Sequence, residues 1–436
     1  MDAARIVVVG TGYVGLTTGA CLASLGHQVT CADVDRVKVA RLSAGRVDIV
    51  EPGLPELVSR GIAEGTLSFV VGAAGAAVEA DAVFLCVPTP MGAGGAADLR
   101  AVEEVVAELA DHLPSGCAVV TKSTVPVGTT QRISALLGRT DVPVVSNPEF
   151  LREGSAVRDF LRPDRIVVGS ETAEAARMVV DLYSALGAPS VVTDAASAEL
   201  VKYAANCFLA MKLSYVNSVA ELCERFGADI DSVTEGMGYD RRIGRSFLEP
   251  GPGWGGSCLP KDTSALLRMS ESVGFGFDLL GAAAAENLAQ RERVIAKIAK
   301  AVGGDLSGAR IGLLGLAFKA GTNDLRDSPA LGVASVLCAH GAEVAAYDPA
   351  IAEEQPGMLV VDSPYRAAKD ADAVVVLTEW PEFRKLDWHV MAEAMHGDTV
   401  LDTRNLLDPT TVLSTGLSWQ GIGRPRIVEH ATSAVG

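Results

Sequence analysis

The sequence predicts an α/β protein with two doubly wound domains, connected by a long central helix and a helical middle domain. Three observations support this class. Short apolar strands alternate with helical stretches through residue 195, as in a mostly parallel sheet. Residues 197–226 contain neither glycine nor proline and carry apolar residues at helical spacing. The last third repeats the strand pattern of the first, so we expect domains at 1–196, 197–300 and 301–436.

The elements of the first domain are runs of apolar residues that end in turns. A strand at 5–9 leads into a helix that extends to Leu25. Later strands are expected at 27–32, 81–87, 117–122, 142–146 and 166–169, with a helix at 98–112.

The last domain repeats these elements. The segment 341–348 echoes 26–33, and 371–377 echoes 80–86. A strand at 309–314 ends at a turn that begins with Gly315, and 399–401 resembles 118–120. We therefore infer two Rossmann-like domains. The second has a longer cationic loop at 318–326 in place of a glycine-rich turn, and we expect it to bind a different nucleotide or phosphate group.

Composition and charge exclude several classes of protein. The 436 residues are 49% hydrophobic and 21% charged, which is typical of a folded globular protein. A net charge of −17 without a basic cluster argues against nucleic acid and anionic membrane as partners. The eight cysteines show no CxxC pair and no metal-ligand spacing with histidine. We expect a reduced cytoplasmic protein without structural disulfides, bound metal, a signal peptide or a membrane span.

A glycine-rich turn follows the first strand. Gly10, Gly12 and Gly15 form GxGxxG between a strand and a helix, where phosphate binds at the helix N-terminus. Asp33 follows the next strand, about 20 residues on, where a carboxylate binds ribose hydroxyls. We predict NAD as the cofactor. Arg36 and Lys38 keep NADP open as an alternative, and a crossover without a ligand is the other.

The loop 251–262 sets Cys258, Lys261 and Asp262 among several glycines. A thiolate is the nucleophilic form of cysteine, and a neighbouring ammonium group and loop amides favour it. Glycines leave little bulk for a core but let the backbone approach a ligand. We interpret Cys258 as a catalytic nucleophile. The alternative is a buried structural cysteine beside a surface turn.

Three motifs together resemble the UDP-glucose/GDP-mannose dehydrogenase family over nearly the whole chain. They are GPGWGGSCLPKD at 251–262, NPEFLREG at 147–154 and AFK at 317–319. The resemblance implies a four-electron oxidation, with two NAD, of a sugar primary alcohol to a carboxylate. Such a reaction needs a group that holds the aldehyde, and a thiol does so as a thiohemiacetal and then a thioester. Cys258 would be that thiol.

The same resemblance implies roles for five other residues. Asp262 and Thr124 would position or activate a water, and Glu149 would assist proton transfer during hydrolysis. Lys202 and Asn206, spaced i, i+4 on one helix face, would stabilise charge on the substrate oxygen. The alternatives are a solvated surface lysine for Lys202 and a residue that caps or bridges backbone for Asn206.

The resemblance also implies two sets of binding residues. The cofactor set is Gly10, Gly12, Tyr13, Val14, Gly15, Asp33, Lys38, Thr89, Thr124, Glu153, Lys261 and Arg326. The substrate set is Glu149, Phe150, Leu151, Arg152, Glu153, Lys202, Asn206, Arg242, Phe247, Leu248, Glu249, Gly251, Gly255, Phe318, Lys319 and Arg404. In relatives the residue at Arg242 reaches the neighbouring subunit's site, which favours a homodimer packed through the long helix. A monomer with a spine helix is the alternative, and Arg404 could be a surface arginine or an ion-paired arginine.

Within the family, the runs 154–160 and 163–166 look more like the UDP-glucose branch. The rival substrates are GDP-mannose, whose enzymes share Cys258, Lys261 and Asp262, and UDP-N-acetylmannosamine, whose enzymes vary the segment that is intact here as NPEF. A protein that senses nucleotide sugars without turnover is the alternative from another class. NADH production from UDP-glucose would separate these hypotheses.

Overall fold

The computed structural model describes residues 3–425. The chain forms two compact units. The first contains the residues up to 205 together with 264–275, and the second contains 206–263 together with 276 onward. Residues 1–2 and 426–436, the outermost parts of the two predicted terminal domains, lie outside the described range.

The first unit is built on an eight-stranded sheet within the described residues. Its strands are β1 (Arg5–Val9), β2 (Gln28–Asp33), β3 (Leu67–Val71), β4 (Ala82–Leu85), β5 (Ala118–Thr121), β6 (Val144–Ser146), β7 (Ile166–Gly169) and β8 (Ser190–Thr193). Their order is β3-β2-β1-β4-β5-β6-β7-β8, and every pair except antiparallel β6–β7 is parallel. Its helices are α1 (Tyr13–Ser24), α2 (Arg36–Ser43), α3 (Leu54–Glu64), α4 (Ala74–Ala77), α5 (Arg100–Leu109), α6 (Thr129–Leu137), α7 (Ala156–Leu161) and α8 (Ala173–Asp181).

Strand β1 shows why this sheet is buried on both faces. Successive side chains of a strand point to opposite faces. Ile6 and Val8 belong to one apolar cluster of the first unit, and Val7 and Val9 belong to another. Helices therefore cover both faces, as the continuous apolar strand sequences require.

Four helices follow: α9 (Ala195–Phe226), α10 (Ile230–Gly238), α11 (Leu259–Ser272) and α12 (Asp278–Ala301). The helix predicted at 197–226 is confirmed and begins two residues earlier, at Ala195. With 32 residues it exceeds ordinary globular helices.

The second unit contains a six-stranded parallel sheet among the described residues. Its strands are β9 (Arg310–Leu314), β10 (Glu343–Tyr347), β11 (Leu359–Val360), β12 (Ala373–Val376), β13 (Thr399–Asp402) and β14 (Ser418–Gly421). Its order is β11-β10-β9-β12-β13-β14. The remaining helices are α13 (Pro329–Ala339), α14 (Pro364–Ala368), α15 (Trp388–Ala394) and α16 (Pro409–Leu413).

The two sheets confirm the predicted fold class and the internal repeat. In each, the first six strands have the order 3-2-1-4-5-6 that is characteristic of dinucleotide-binding domains. The paired segments named from the sequence lie on equivalent strands, β2 with β10, β4 with β12 and β5 with β13. The predicted domain bounds remain predictions.

Candidate active site

The glycine turn after β1 has the geometry of a phosphate cradle. Gly10 has a φ of +92°, and a Cβ there would lie 2.8 Å from the Cys86 carbonyl oxygen. A Cβ on Gly15 would lie 1.8 Å from the Gly10 carbonyl oxygen, so helix and turn pack without room for a side chain. Gly12 caps α1 and has no atom within 4 Å of an added Cβ. That open space at a helix N-terminus fits a pyrophosphate.

Asp33 ends β2 and is already oriented by its neighbours. Its Oδ2 accepts hydrogen bonds from the Thr11 amide at 2.9 Å, the Thr11 hydroxyl at 2.5 Å and the Lys38 ammonium at 3.1 Å. Burial raises the pKa of Asp33, but the hydrogen bonds from Thr11, Asp35 and Lys38 outweigh it and hold the pKa at about 2. An ionised carboxylate at this strand end fits the ribose of a dinucleotide. Lys38, predicted at the cofactor, is thus an ion-pair partner of Asp33.

Two loops meet at the carboxyl ends of β4 and β5. The Thr89 hydroxyl donates to the Thr124 carbonyl oxygen at 2.8 Å, which joins the two predicted cofactor-site threonines. The strand order of the sheet reverses between β1 and β4. Open α/β sheets bind ligands at such a point.

Glu149 follows β6 and is buried together with Lys202 of α9. Glu149 Oε1 accepts from the Lys202 ammonium at 2.8 Å, and Oε2 accepts from the Leu151 amide at 2.6 Å. Burial raises the pKa of Glu149, but the charge and hydrogen bond of Lys202, with a smaller contribution from Lys122, hold it below its usual range. Lys202 is buried, so the alternative of a solvated surface lysine is not what the structure shows.

Two cations lie close to the ring of Phe150. The Arg165 guanidinium lies 3.6 Å from the centre of its ring, and the Lys202 ammonium lies 5.5 Å from it. Cation–π contacts of this kind are worth about 0.5 to 2 kcal/mol and hold the ring in place. The next residues, 151–154, carry the rest of the NPEFLREG motif, and Arg152 pairs with Asp159 at 2.6 Å.

Glu51 joins this segment to the glycine turn, and sequence reasoning missed it. It is buried, and its carboxylate accepts from the Tyr13 hydroxyl and, at 2.8 Å, from the Gly154 amide. Tyr13 belongs to the predicted cofactor set and Gly154 follows Glu153, so Glu51 links the two motifs. Its sequence signal is only a carboxylate in the turn 51–53, far along the chain from both partners.

Cys258 stands at the N-terminus of α11. The Asp262 amide donates to the Cys258 carbonyl oxygen at 2.9 Å, which makes Cys258 the capping residue of this 14-residue helix. A helix N-terminus stabilises negative charge, so the position favours a thiolate. The residue is half-buried and therefore accessible.

Asp262 lies one helical turn beyond Cys258 and is completely buried. Its Oδ2 accepts from the Asn206 amide at 2.6 Å, and its Oδ1 accepts from the Lys261 ammonium at 2.7 Å. Three predicted residues therefore converge in the second unit, two from the cysteine loop and one from α9. Helix α9 carries Asn206 here and Lys202 in the Glu149 pair, one turn apart.

The cysteine loop is anchored by buried polar side chains that sequence reasoning missed. Gly251 donates to Asn217 at 2.9 Å and accepts from Gln290 at 2.7 Å. Asn287 bonds both the amide and the carbonyl oxygen of Trp254, at 2.7 and 2.9 Å. Their signal is a polar residue on an otherwise apolar helix face. The partners lie more than 30 residues apart in sequence, which hides the pairing.

The glycines of the loop pack against the predicted sugar-nucleotide residues. A Cβ on Gly255 would lie 1.9 Å from the Asp327 carbonyl oxygen, and one on Gly251 would lie 3.1 Å from a guanidinium nitrogen of Arg404. Arg404 also donates to the carbonyl oxygens of Leu377 at 2.8 Å and Phe318 at 3.3 Å. The structure thus brings together Gly251, Phe318 and Arg404. Arg404 also forms an ion pair with Glu379, which agrees with the alternative of an ion-paired arginine.

Among the remaining predicted substrate residues, the Lys319 ammonium lies 5.4 Å from the centre of the Phe318 ring. Four others lie on the strap 242–249, between α10 and the cysteine loop. Arg242 is exposed and pairs with Asp240 at 2.6 Å, Leu248 is buried, and Glu249 is exposed. Phe247 has a φ of +63°, which is rare for an aromatic residue and common where function fixes a backbone. Lys212 of α9 donates to the carbonyl oxygens of Ile243 and Ser246, at 3.1 and 2.6 Å. Arg326, from the predicted cofactor set, pairs with Asp324 in the same way that Arg242 pairs with Asp240.

Two negative findings concern residues 3–425. Within this range, no group of three or more His, Cys, Asp or Glu side chains could hold a metal ion. Over the same residues, no helix is both long and apolar enough to cross a membrane.

Known proteins match nearly the whole chain. Residues 4–187, 196–289 and 312–409 match the NAD binding, central and UDP binding domains of the UDP-glucose/GDP-mannose dehydrogenase family. A UDP-glucose 6-dehydrogenase of Rhizobium meliloti is 42% identical, over 97% of this chain and 100% of that protein. The structure of a UDP-glucose dehydrogenase from Pyrobaculum islandicum has a TM-score of 0.87 at 38% identity, covering 97% of this chain and 98% of that one. A UDP-D-ManNAc dehydrogenase from Pyrococcus horikoshii has the same TM-score at 28% identity, over 97% of this chain and 100% of that one.

Proposed function

The chain belongs to the UDP-glucose/GDP-mannose dehydrogenase family, and we propose that it oxidises UDP-glucose to UDP-glucuronate. It is an NAD-dependent dehydrogenase. The choice of UDP-glucose is supported by the relatives named above, since identity is 42% and 38% with the UDP-glucose enzymes and 28% with the UDP-D-ManNAc enzyme. One observation carries the proposed chemistry. Cys258 caps α11, and one turn further on Asp262 is held by Asn206 and Lys261.

The overall reaction consumes one UDP-glucose, two NAD⁺ and one water, and it yields UDP-glucuronate, two NADH and three protons. NAD is the acceptor of the electrons removed in both oxidations. Gly10, Gly12, Gly15 and Asp33 would hold it, because they form the cradle and the fixed carboxylate described above.

Cys258 retains the aldehyde between the two oxidations. Its thiolate adds to the aldehyde carbon, a C–S bond forms, and the carbonyl oxygen takes up a proton to give a thiohemiacetal. Oxidation of this adduct gives a thioester on Cys258. Water then adds to the thioester carbon, the C–S bond breaks, and the thiol is restored.

Asp262 and Thr124 would position the water that attacks the thioester. Asp262 suits this role because Asn206 and Lys261 fix both oxygens of its carboxylate. Glu149 would take up a proton during hydrolysis, and its ion pair with Lys202 keeps it ionised for that purpose. Lys202 and Asn206 would stabilise negative charge on the substrate oxygen, an effect worth about 3 to 4 kcal/mol per donor in a preorganised site.

The second sheet would bind the UDP group. Phe318 offers a ring face for a base, and Lys319 and Arg404 offer charges for a diphosphate. The contacts of Gly251 with Arg404, and of Gly255 with the backbone at Asp327, support a shared role for the cysteine loop and this domain. The segments 149–153 and 247–249 would contribute to sugar binding by family resemblance.

We further propose a homodimer packed through α9. Its exposed face carries apolar side chains at intervals of seven, seven and four residues: Phe208, Tyr215, Leu222 and Phe226, with exposures of 58%, 58%, 48% and 80%. An exposed stripe of this kind is typical of a subunit interface. Exposed Arg242 would then reach the neighbouring subunit's substrate, as family resemblance implies. For the compartment we propose the cytoplasm, where the thiol that the reaction needs stays reduced.

The proposed function is tested by supplying the purified protein with NAD and, separately, UDP-glucose, GDP-mannose and UDP-N-acetylmannosamine. We expect NADH and UDP-glucuronate from UDP-glucose, with kcat/KM at least about a hundredfold above the other two. Preference for either rival sugar would overturn the substrate assignment, and binding of UDP-glucose without NADH would favour a sensor.

A further inference from the structure

Lys122 is a buried lysine that the proposed mechanism does not use. It directly follows β5 in the first unit and is only 5% exposed. Its ammonium donates to Asn147 Oδ1 at 3.1 Å. Burying a cation is unfavourable unless its surroundings compensate the lost hydration. The neighbours of Lys122 should therefore identify its purpose.

The surroundings of Lys122 form a cage that fixes one amide. The ring centres of Phe160 and Tyr183 lie 5.8 and 5.5 Å from its ammonium nitrogen. The Tyr183 hydroxyl donates to the same Asn147 oxygen at 2.7 Å. The Asn147 amide nitrogen in turn donates to the Val167 carbonyl oxygen at 2.8 Å. Asn147 consequently has a single orientation, and its sequence position is two residues before Glu149.

The charged and titratable groups around Lys122 come from four elements. Cys86 follows β4, Glu149 follows β6, Tyr183 follows α8 and Lys202 lies on α9. Burial raises the pKa of Cys86 to about 12 and also raises the pKa of Tyr183, so both stay neutral near neutral pH. Lys122 therefore lies near one carboxylate, Glu149, and one other cation, Lys202.

Burial has the largest effect on Lys122 itself and lowers its pKa. The charge of Glu149 raises the pKa, that of Lys202 lowers it, and the balance lies at about 8. Lys122 is hence an ammonium at neutral pH and loses its charge in mildly alkaline solution. The effect on Glu149 is reciprocal, because the charge of Lys122 lowers the pKa of that carboxyl.

We propose that Lys122 is a positioning residue for Glu149. The Lys122 ammonium orients the Asn147–Glu149 segment, and it adds a second positive charge, beside that of Lys202, that keeps the Glu149 carboxylate ionised. The inference rests on the proposed role of Glu149 in thioester hydrolysis. Lys122 would thus influence kcat, although it lies outside the catalytic and binding sets given above.

The test compares kcat of wild type and Lys122→Gln across pH, with saturating UDP-glucose and NAD. Glutamine can still donate to Asn147 but carries no charge. We expect a wild-type to variant ratio of roughly tenfold at about pH 6.5 that falls to nearly one at about pH 9.5, because the wild type loses the same charge on the way. All other titratable groups are common to both proteins, so the ratio isolates Lys122. KM values should change less than about twofold.

A ratio that stays constant with pH would show a purely structural role and overturn the proposal, and so would a ratio near one throughout. If Lys122→Gln does not fold, Lys122→Met, which suits the aromatic cage, must show the same pH dependence. Lys369→Gln, a change at an exposed lysine of the second unit, is the control and should give a ratio of one at every pH. Wild-type protein that produces no NADH from UDP-glucose refutes the proposed function instead.

In that case the melting temperatures of wild type and Lys122→Gln still test Lys122. Its native pKa of about 8 lies below the unfolded value of about 10.4. Between these values the unfolded chain binds the extra proton, so wild type should gain stability relative to the variant as pH rises through this window. A difference in melting temperature that does not change with pH would refute the lowered pKa that burial gives Lys122.

Discussion

Asp33 shows how a single residue can set cofactor choice. Thr11 and Lys38 fix its carboxylate at the end of β2, and its pKa of about 2 keeps it ionised. The same carboxylate that suits two ribose hydroxyls would repel a 2′-phosphate. We therefore expect this one ionised side chain to set cofactor choice, although Lys38 lies beside it.

We expect kcat/KM for NAD to exceed that for NADP by at least about a hundredfold, because like charges at close range cost several kcal/mol. The preference should be constant from about pH 7 to about pH 9, since Asp33 does not titrate there and the 2′-phosphate of NADP is already fully ionised. Steady-state kinetics with both cofactors check this. Asp33→Asn should narrow the preference, whereas Asp48→Asn, at an exposed carboxylate, should not. Equal efficiency with NAD and NADP in the wild type would contradict the assignment.

Cys258 is the residue on which a covalent route depends. In Cys258→Ser a hydroxyl replaces the thiolate, so NADH formation at saturation should fall at least about a thousandfold, while UDP-glucose and NAD still bind. Calorimetric titration measures the binding. Cys338→Ser, at another half-buried cysteine of the second unit, is the matched control and should keep its activity. Near wild-type production of UDP-glucuronate by Cys258→Ser would refute the nucleophile.

Single residues were predictable where a motif carries their chemistry. The sequence led to Cys258, Asp262 and Asn206, and the structure joins the last two at 2.6 Å. Glu51, Asn287 and Lys122 were not predictable, because each acts through a partner more than 20 residues away and none belongs to a motif. A local sequence pattern does not indicate which distant residue will be the hydrogen-bond partner of a given side chain.

At the scale of elements, the ends of helices and strands carry the chemistry. Helix α11 begins directly after Cys258, helix α1 begins directly after Gly12 of the glycine turn, and Asp33 ends β2. Helix N-termini favour anions, and the carboxyl ends of parallel strands collect ligands. Helix α9 supplies Lys202 and Asn206 and carries the exposed apolar stripe, so its length would serve both the proposed chemistry and the proposed dimer.

The loop after β9 supports a prediction that the second sheet binds UDP-glucose and the first sheet binds NAD. Lys319→Ala should raise KM for UDP-glucose by roughly tenfold or more, because a cation near a diphosphate is lost, and should leave NAD binding nearly unchanged. Steady-state kinetics and NAD titration measure both. Lys385→Ala, elsewhere in the second unit, is the control. A weakened affinity for NAD with an unchanged KM for UDP-glucose would reverse the assignment of the domains.

Elements were predicted well where hydrophobic patterning is strong. Strand β1 and strand β7 have the predicted bounds, and α9 differs by two residues at its start. Strands β3, β8, β11 and β14 were not singled out. Strands β3 and β8 have exposed residues and β11 has only two residues, so their patterns are weak. The antiparallel pairing of β6 and β7 depends on tertiary contacts that no local pattern records.

In the whole molecule, the same strand order occurs in both sheets, but the aspartate at the end of the second strand has different partners in each. In the first sheet, Asp33 binds Thr11 and Lys38. In the second, the equivalent Asp348 accepts from the amides of Leu316 and Ala317 and from the Trp380 indole, which leaves it buried within its own loop. The repeat was evident from sequence, but this difference was not, and it agrees with different ligands for the two sheets.

We propose that oxidation to the acid passes through a thioester on Cys258. The variant Asp262→Asn gives the sharpest test for this thioester. The variant keeps the thiol and an amide that can still bond Asn206, but it lacks the carboxylate proposed to direct water. Intact-protein mass spectrometry after mixing with UDP-glucose and NAD should reveal a UDP-glucuronyl adduct, absent in Cys258→Ser, together with about two NADH per subunit before turnover stalls. Release of two or more NADH per subunit with no adduct on the protein would contradict the account.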